Sequence, residues 1–291
     1  MIRAKQTRRQ FLQKASIGVA ASLMAASNCS GQNQPLIGNE WIKGKCTSKR
    51  LFELGLASYT LREFNLDKTL AMTQQLGLKY IALKSIHLPL ESTQAEIETV
   101  TAKVRQAGLN LYGGGVIYMN NEAEVHRAFD YAKAAAMKVI IGVPKPELLS
   151  LVNKKVEEYD INVAIHNHGP EDKVYPTPRS AYERIKELDG RIGLCIDIGH
   201  TQRAGIDPSE AAEKFADRLL DVHIKDVSAA TVEGTTVEIG RGVIDIPKFV
   251  RSLLNIKYTG ITSFEYEKDA KDPLPGVAES VGYVRGVLAT I

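Results

Sequence analysis

The sequence predicts an α/β fold, a (β/α)8 TIM barrel forming a single domain over residues 51–291. Three observations carry this reading. From about residue 51 the chain alternates strand-like apolar runs with helical patterns, eight of each. About 240 residues are available for them, close to the roughly 250 such a barrel needs. Five of the strand-like runs end in His, Asp, Glu or Lys: IALKSIH (81–87), VAIHNHGPED (163–172), LCIDIGH (194–200), DVHIKD (221–226) and SFEYE (263–267). Polar groups at the C-terminal ends of parallel strands converge on one face of a barrel, where its active sites lie.

The elements follow in order. The first strand is read over Phe52–Tyr59, and the first helix over Leu66–Leu76 is stopped by Gly77. A second strand, Tyr80–Lys84, leads to a helix over Gln94–Ala107 stopped by Gly108. Both glycines stand where a helix end favours a left-handed residue. The third and fourth strands are read over Leu109–Val116 and Lys138–Val143, with helices Glu122–Ala135 and Pro146–Glu158 after them. The fifth and sixth, Ile161–Asn167 and Ile192–Asp197, are followed by helices Pro178–Leu188 and Pro208–Asp217. The last two strands are Leu219–Lys225 and Gly260–Tyr266, with helices Ile246–Leu254 and Val277–Leu288. Pro146, Pro178 and Pro208 fall near first helical turns, where the missing N–H costs nothing. Strand–helix alternation with short connections argues for parallel strands and right-handed crossovers. The longest irregular stretch, 226–245, lies on the functional face. The run Gly113-Gly114-Gly115 lacks the Lys-Ser/Thr of a phosphate loop and is read as a place where substrate nears the backbone.

Composition excludes several classes. The net charge of +3 is small and partly carried by the N-terminal stretch, so no basic stripe points to nucleic acid. Beyond the leader no run of about 18 apolar residues predicts a spanning helix. Three cysteines, Cys29, Cys46 and Cys195, are too few and too scattered for a disulfide framework. Nothing in the sequence sets an oligomeric state.

Residues 1–29 read as a leader. Thr7-Arg8-Arg9-Gln10-Phe11-Leu12 resembles a twin-arginine export signal, and the small, mildly apolar tract Ala15–Ala26 suits its hydrophobic region. That reading implies export to the periplasm. Cys29 is a candidate lipid anchor, and residues 30–50 read as a tether.

Carboxylates together with imidazoles suit one divalent ion, Mn, Zn, Co or Mg, with positions left open for substrate. The candidate metal ligands are Asp197, His223, Glu265 and Glu171, with His166 or His168 as alternatives for the fourth place. Glu265, His166, His168 and Lys225 are the candidate catalytic groups; Lys84, His87 and His200 are candidates for substrate binding. Lys225 follows His223 by two residues and so shares its strand face. His166 and His168 share a face in the same way, with Asn167 turned to the helix layer.

Residues 51–291 resemble the sugar phosphate isomerase/epimerase superfamily, the xylose isomerase-like barrels. Asp197 in IDIGH, His223 in HIKD and Glu265 in SFEYE carry the likeness, and the 26-residue step from Asp197 to His223 matches the order of that family's metal-binding Asp and His. The resemblance implies a metal held by residues of strands five to eight. Where many members have Glu in the fifth strand, this chain has His166 in HNH, nearer the subgroup that includes inosose dehydratase-like proteins. The implied function is a metal-dependent sugar isomerase or epimerase acting by enediolate chemistry on a small-molecule sugar or keto-sugar. The alternatives are a lyase or dehydratase on a keto-sugar, glycoside or cyclitol, and a non-catalytic sugar-binding protein.

Overall fold

The computed structural model describes residues 52–291. The leader, the tether, Cys29 and Cys46 lie outside the described residues. Eight parallel strands close into a barrel in the order β1-β10-β7-β6-β5-β4-β3-β2. They are β1 Glu53–Ala57, β2 Tyr80–Leu83, β3 Asn110–Met119, β4 Val139–Pro144, β5 Asn162–His166, β6 Ile192–Asp197, β7 Leu219–Ile224 and β10 Ile261–Phe264. The seam is parallel pairing of β1 with β10, Gly55 opposite Ser263. A two-stranded antiparallel hairpin, β8 Asp226–Val227 with β9 Thr236–Val237, stands on the stretch after β7. The helices are α1 Leu66–Gln75, α2 Gln94–Gln106, α3 Glu122–Ala134, α4 Leu149–Tyr159, α5 Pro178–Ile185, α6 Ile198–Arg203, α7 Pro208–Lys214, α8 Ile246–Asn255 and α9 Leu274–Thr290.

Local chemistry explains the boundaries. Asn65, Thr93, Asn121, Thr177, Asp207 and Asp245 each accept a backbone N–H of the first turn that follows them. Gly77 and Gly108 take positive φ, +66° and +65°, as helix-ending residues do. The short helix α6 is absent from the sequence reading. It is one turn raised directly on Asp197, whose Oδ1 accepts the His200 N–H at 2.8 Å.

Side-chain parity builds two cores. Outward residues such as Ile140, Val163, Ile165, Leu194, Ile196 and Val222 meet the helices in the main core. Inward residues Ala82, Tyr112, Val139, Ile141, Ala164 and Cys195 form a second cluster that fills the barrel. A hydrogen bond of 2.7 Å between the Tyr112 hydroxyl and Ser263 Oγ spans this interior from β3 to β10. The glycine run at 113–115 serves packing rather than substrate: a Cβ at Gly113 would strike Val139, at Gly114 Met137 and Tyr131, and at Gly115 Ile141. The bulk removed there lets β4 and α3 close on β3. Among the described residues no helix is long and apolar enough to cross a membrane.

Candidate metal centre

The inward parity that puts Ala164, Cys195 and Asp221 inside the barrel places, two residues later, His166, Asp197 and His223 near its C-terminal end. Asp197 and His223 stand opposite each other in register, and Ser263 stands beside His223. Glu265, the next inward residue of that strand, follows; its N–H donates to Ile224 O at 3.2 Å.

These four side chains converge. His166 Nε2 lies 3.1 Å from His223 Nδ1, 3.4 Å from Asp197 Oδ2 and 3.9 Å from Glu265 Oε2. His223 Nδ1 lies 3.1 Å from Glu265 Oε2. All four residues are buried, and their ligand atoms lie within 4.8 Å of one another. Ligands about 2.0–2.2 Å from a tetrahedral ion are spaced about 3.3–3.6 Å apart, the spacing these atoms approach. Two imidazole nitrogens and two carboxylate oxygens facing one point, with Asp197 Oδ2 lacking any well-directed hydrogen bond, fit a divalent cation.

The electrostatics suit that donor set at three of its four residues. Burial drives the His166 imidazole down to about 3, so it is neutral and its lone pair is free. Burial also opposes charge on His223, but the carboxylates of Glu265, Asp221 and Asp197 outweigh it and hold that imidazole above its ordinary value. Burial alone would raise Asp197 and Glu265. The Lys225 ammonium reverses this, assisted by the surrounding imidazoles, and keeps both ionised. Lys225 Nζ is 2.9 Å from Asp197 Oδ2 and 2.8 Å from Glu265 Oε2, and it also donates to Glu267. It is buried, yet these three carboxylates overcome its desolvation and hold it protonated.

The other sequence candidates separate. His168 stands at the mouth, its ring 4.5 Å from that of His166 and stacked 5.8 Å from Tyr118. Asp172 Oδ2, 3.6 Å from His168 Nδ1, favours a proton there and leaves Nε2, 3.3 Å from the Tyr118 hydroxyl, as the basic nitrogen. Burial and the neighbouring His200 hold His168 below its ordinary value. The His200 ring is 5.9 Å from that of His168. Lys84 donates to Val116 O at 2.7 Å between the rings of Tyr59 and Tyr118. Burial lowers its pKa, and among the described residues no carboxylate pairs with it.

Two expectations need correction. Glu171 is not among the converging groups: its carboxylate is exposed and paired with Arg203. His166 occupies the fourth place instead, because it lies on the strand while Glu171 lies in the loop beyond it. His87 does not reach the mouth. It is buried, with Nδ1 2.9 Å from Ser58 Oγ and Nε2 3.0 Å from both Phe64 O and Thr69 Oγ1. Tyr118 and Glu267 are residues the sequence reading left out of the site. The signal for Glu267 was its parity with Glu265; that for Tyr118 was the apolar run continuing past Val116 to Met119.

A family model described as xylose isomerase-like TIM barrel matches residues 147–287. The rhizopine catabolism protein MocC of Rhizobium meliloti is 26% identical over 146 residues, covering 45% of this chain and 44% of that protein. Inosose dehydratase of Geobacillus kaustophilus (strain HTA426) is 29% identical over 120 residues, covering 35% of this chain and 37% of that enzyme. The chain thus aligns with less than half the length of these curated relatives. In three dimensions it resembles the IOLI protein with a bound zinc atom, at a TM-score of 0.68 and 17% identity, over 82% of this chain and 98% of that one. The closed eight-stranded barrel and the matched segment agree: the described chain has the fold of the xylose isomerase-like TIM barrels, and its residues 147–287 match that family.

Proposed function

We propose that the protein is a metal-dependent enzyme that removes a proton beside the carbonyl of a sugar or keto-sugar, as an isomerase or epimerase. The convergence of His166, Asp197, His223 and Glu265 carries this reading. A divalent ion held by these four residues would supply Lewis-acid polarisation of a substrate carbonyl and adjacent hydroxyl. Lys225 fixes the Asp197 and Glu265 carboxylates and keeps them ionised. His168, neutral at neutral pH with its basic nitrogen at the mouth, takes or returns the proton at carbon. Lys84 places an ammonium, without a carboxylate partner among the described residues, beside Tyr59 and Tyr118, suited to an oxygen that gains negative charge. The aromatic faces suit the C–H face of a sugar ring.

One observation favours a second reading, dehydration or β-elimination. The β5 position holds a neutral imidazole, and both cluster carboxylates are bound to Lys225. An epimerase that exchanges protons on both faces of a carbon needs a free acid–base group on each side. A dehydratase needs a base and one acid for the departing hydroxyl, roles His168 and His200 can share. The aligned relative named inosose dehydratase supports this alternative.

The test combines two measurements. Elemental analysis of purified protein is expected to give one divalent ion per chain, largely lost in His166→Ala and Asp197→Ala and retained in Glu171→Ala. Incubation in D2O with free sugars, keto-sugars and cyclitols is expected to place deuterium beside the carbonyl, and a chelator to abolish it. Exchange with a new stereoisomer identifies the epimerase, and loss of water or an alcohol the lyase. Equal metal content in all variants, or undiminished turnover after exhaustive chelation, would overturn the proposal.

A further inference from the structure

Beside the four converging side chains lies a cavity of about 470 Å3 that none of the roles above uses. Lys225 and Glu267 line it, so it adjoins the converging groups through the ammonium that holds Asp197 and Glu265. One wall is α6, at His200 and Arg203; the other is the β8–β9 hairpin, at Thr235 and Thr236. Both walls are fixed. Arg203 Nη2 donates to Val232 O at 2.6 Å and ties the hairpin loop to α6. Buried Asp226 pins the foot of the hairpin through the N–H groups of Gly240 and Gly242. The helix α6 starts on Asp197, so one residue places both this wall and a member of the converging set.

The lining selects its ligand by charge. Each of its Lys and Arg side chains already has a carboxylate: Lys225 has Asp197, Glu265 and Glu267, Arg203 has Glu171, and Lys268 has Glu238 at 2.8 Å. An anionic ligand would have to displace one of these internal carboxylates. What the lining offers freely is hydroxyl groups, from Thr235 and Thr236, beside the methyl groups of Val227 and Val237. A neutral ring with hydroxyls on its edge and C–H bonds on its face uses both. The volume lies within the roughly 300–1,000 Å3 of small-molecule pockets.

Placement adds a second constraint. The aromatic mouth belongs to the β2–β3 side of the barrel, with Tyr118 on β3 and Lys84 just after β2, whereas the cavity belongs to the β6–β7 side. His168 lies between them: its ring is 5.8 Å from that of Tyr118 and 5.9 Å from that of His200, which lines the cavity. A sugar ring held against Tyr118 and His168 therefore has room beyond it, past His200, for an attached group.

We infer that this cavity binds a second, neutral sugar unit, so that the substrate is a disaccharide or similar glycoside whose reacting ring lies at Tyr118 and His168 and whose attached unit extends between α6 and the hairpin. Its standing as a substrate rests on the proton-removal reading above; the binding of a neutral sugar in the cavity does not.

The test uses the full chain, with and without chelator. Calorimetric titrations compare maltose, cellobiose, lactose and trehalose with their component monosaccharides and with cellobiouronic acid. At least one neutral disaccharide is expected to bind about 10-fold or more tightly than either of its components. Thr236→Trp, which fills the cavity from the hairpin, is expected to bring that disaccharide down to the level of the monosaccharides. Thr235→Trp does the same from a more exposed position, should the first variant fail to fold. Val243→Trp adds equal bulk at an exposed position outside the lining and is expected to keep the preference. Equal affinities for disaccharides and monosaccharides, tighter binding of the uronic acid, a preference that survives both threonine variants, or an equal loss in Val243→Trp would each overturn the inference. A preference lost in Thr236→Trp, in a protein that binds no ion and places no deuterium on any sugar, would instead sink the proton-removal reading and leave the cavity as a sugar-binding site.

Discussion

Two buried histidines illustrate how neighbours, more than residue type, decide a role. His166 and His87 both close apolar strand runs. His166 faces three other donors; His87 closes a relay in which the Lys84 N–H donates to Ser58 Oγ, Ser58 donates to Nδ1, and Nε2–H donates to Phe64 O. That relay joins the ends of β1 and β2 to the 62–65 loop. It was not legible in the sequence, because Ser58, Phe64 and Thr69 are 18–29 residues from His87 and nothing in their types marks them as partners. Burial lowers the His87 pKa, outweighing the raising effect of the Phe64 and Leu61 carbonyls. Below about pH 6.5 the unfolded imidazole takes up a proton that the folded one resists. Its contribution is therefore complete above that pH and falls as the solution is acidified. Thermal midpoints between pH 7.5 and 5 are expected to fall less steeply in His87→Asn than in the wild type, from a lower starting value at pH 7.5. Parallel curves would show that His87 is not the titrating group.

Among the elements, the eight barrel strands were legible because apolar runs and helical patterns with their stops alternate in the same order, and each observed strand overlaps its expected range. The stretch after β7 was not. It reads as irregular, yet it is organised by one carboxylate. Asp226 Oδ1 accepts the N–H groups of Val227 and Ile244 at 2.9 and 3.2 Å, and Oδ2 those of Gly240 and Gly242 at 2.9 and 3.0 Å. Such a clasp depends on contacts 14–18 residues away that no local pattern announces. Glu238 adds a second tie, accepting from the Tyr266 hydroxyl and Lys268 Nζ. Asp226→Asn keeps one acceptor and loses the charge and the other. Stability is expected to drop by roughly 1–3 kcal/mol. Amide exchange should quicken first at Gly240 and Gly242. Uniform acceleration across the barrel, or none, would mean that the clasp does not act locally. The site shows the same division: Asp197, His223 and Glu265 follow from strand parity, whereas the choice of His166 over Glu171 depends on where β5 ends and on Arg203 capturing the glutamate outside.

For the whole molecule, the four converging residues lie on β5, β6 and β7 and directly after β10, so a ligand held by them ties one half of the barrel together. Binding to the folded state alone stabilises by about 2.7 kcal/mol when free ligand is 100-fold above its dissociation constant. For a domain of this size that corresponds to roughly 5–10 °C in thermal midpoint. Scanning calorimetry with saturating Mn2+ or Zn2+ against chelator is expected to show such a rise in the wild type and little in Asp197→Ala. Identical shifts in both would place the binding elsewhere. The pairing of β1 with β10 has a further consequence, in time rather than in energy. A chain is made from its first residue to its last, and here the last strand both shuts the ring and delivers Glu265. Until residue 265 has been made, the first strand has no partner on its open side and the pocket lacks a wall. The cavity is finished only once the eighth barrel strand has been made, so any occupant can be taken up only by a chain folded at least that far.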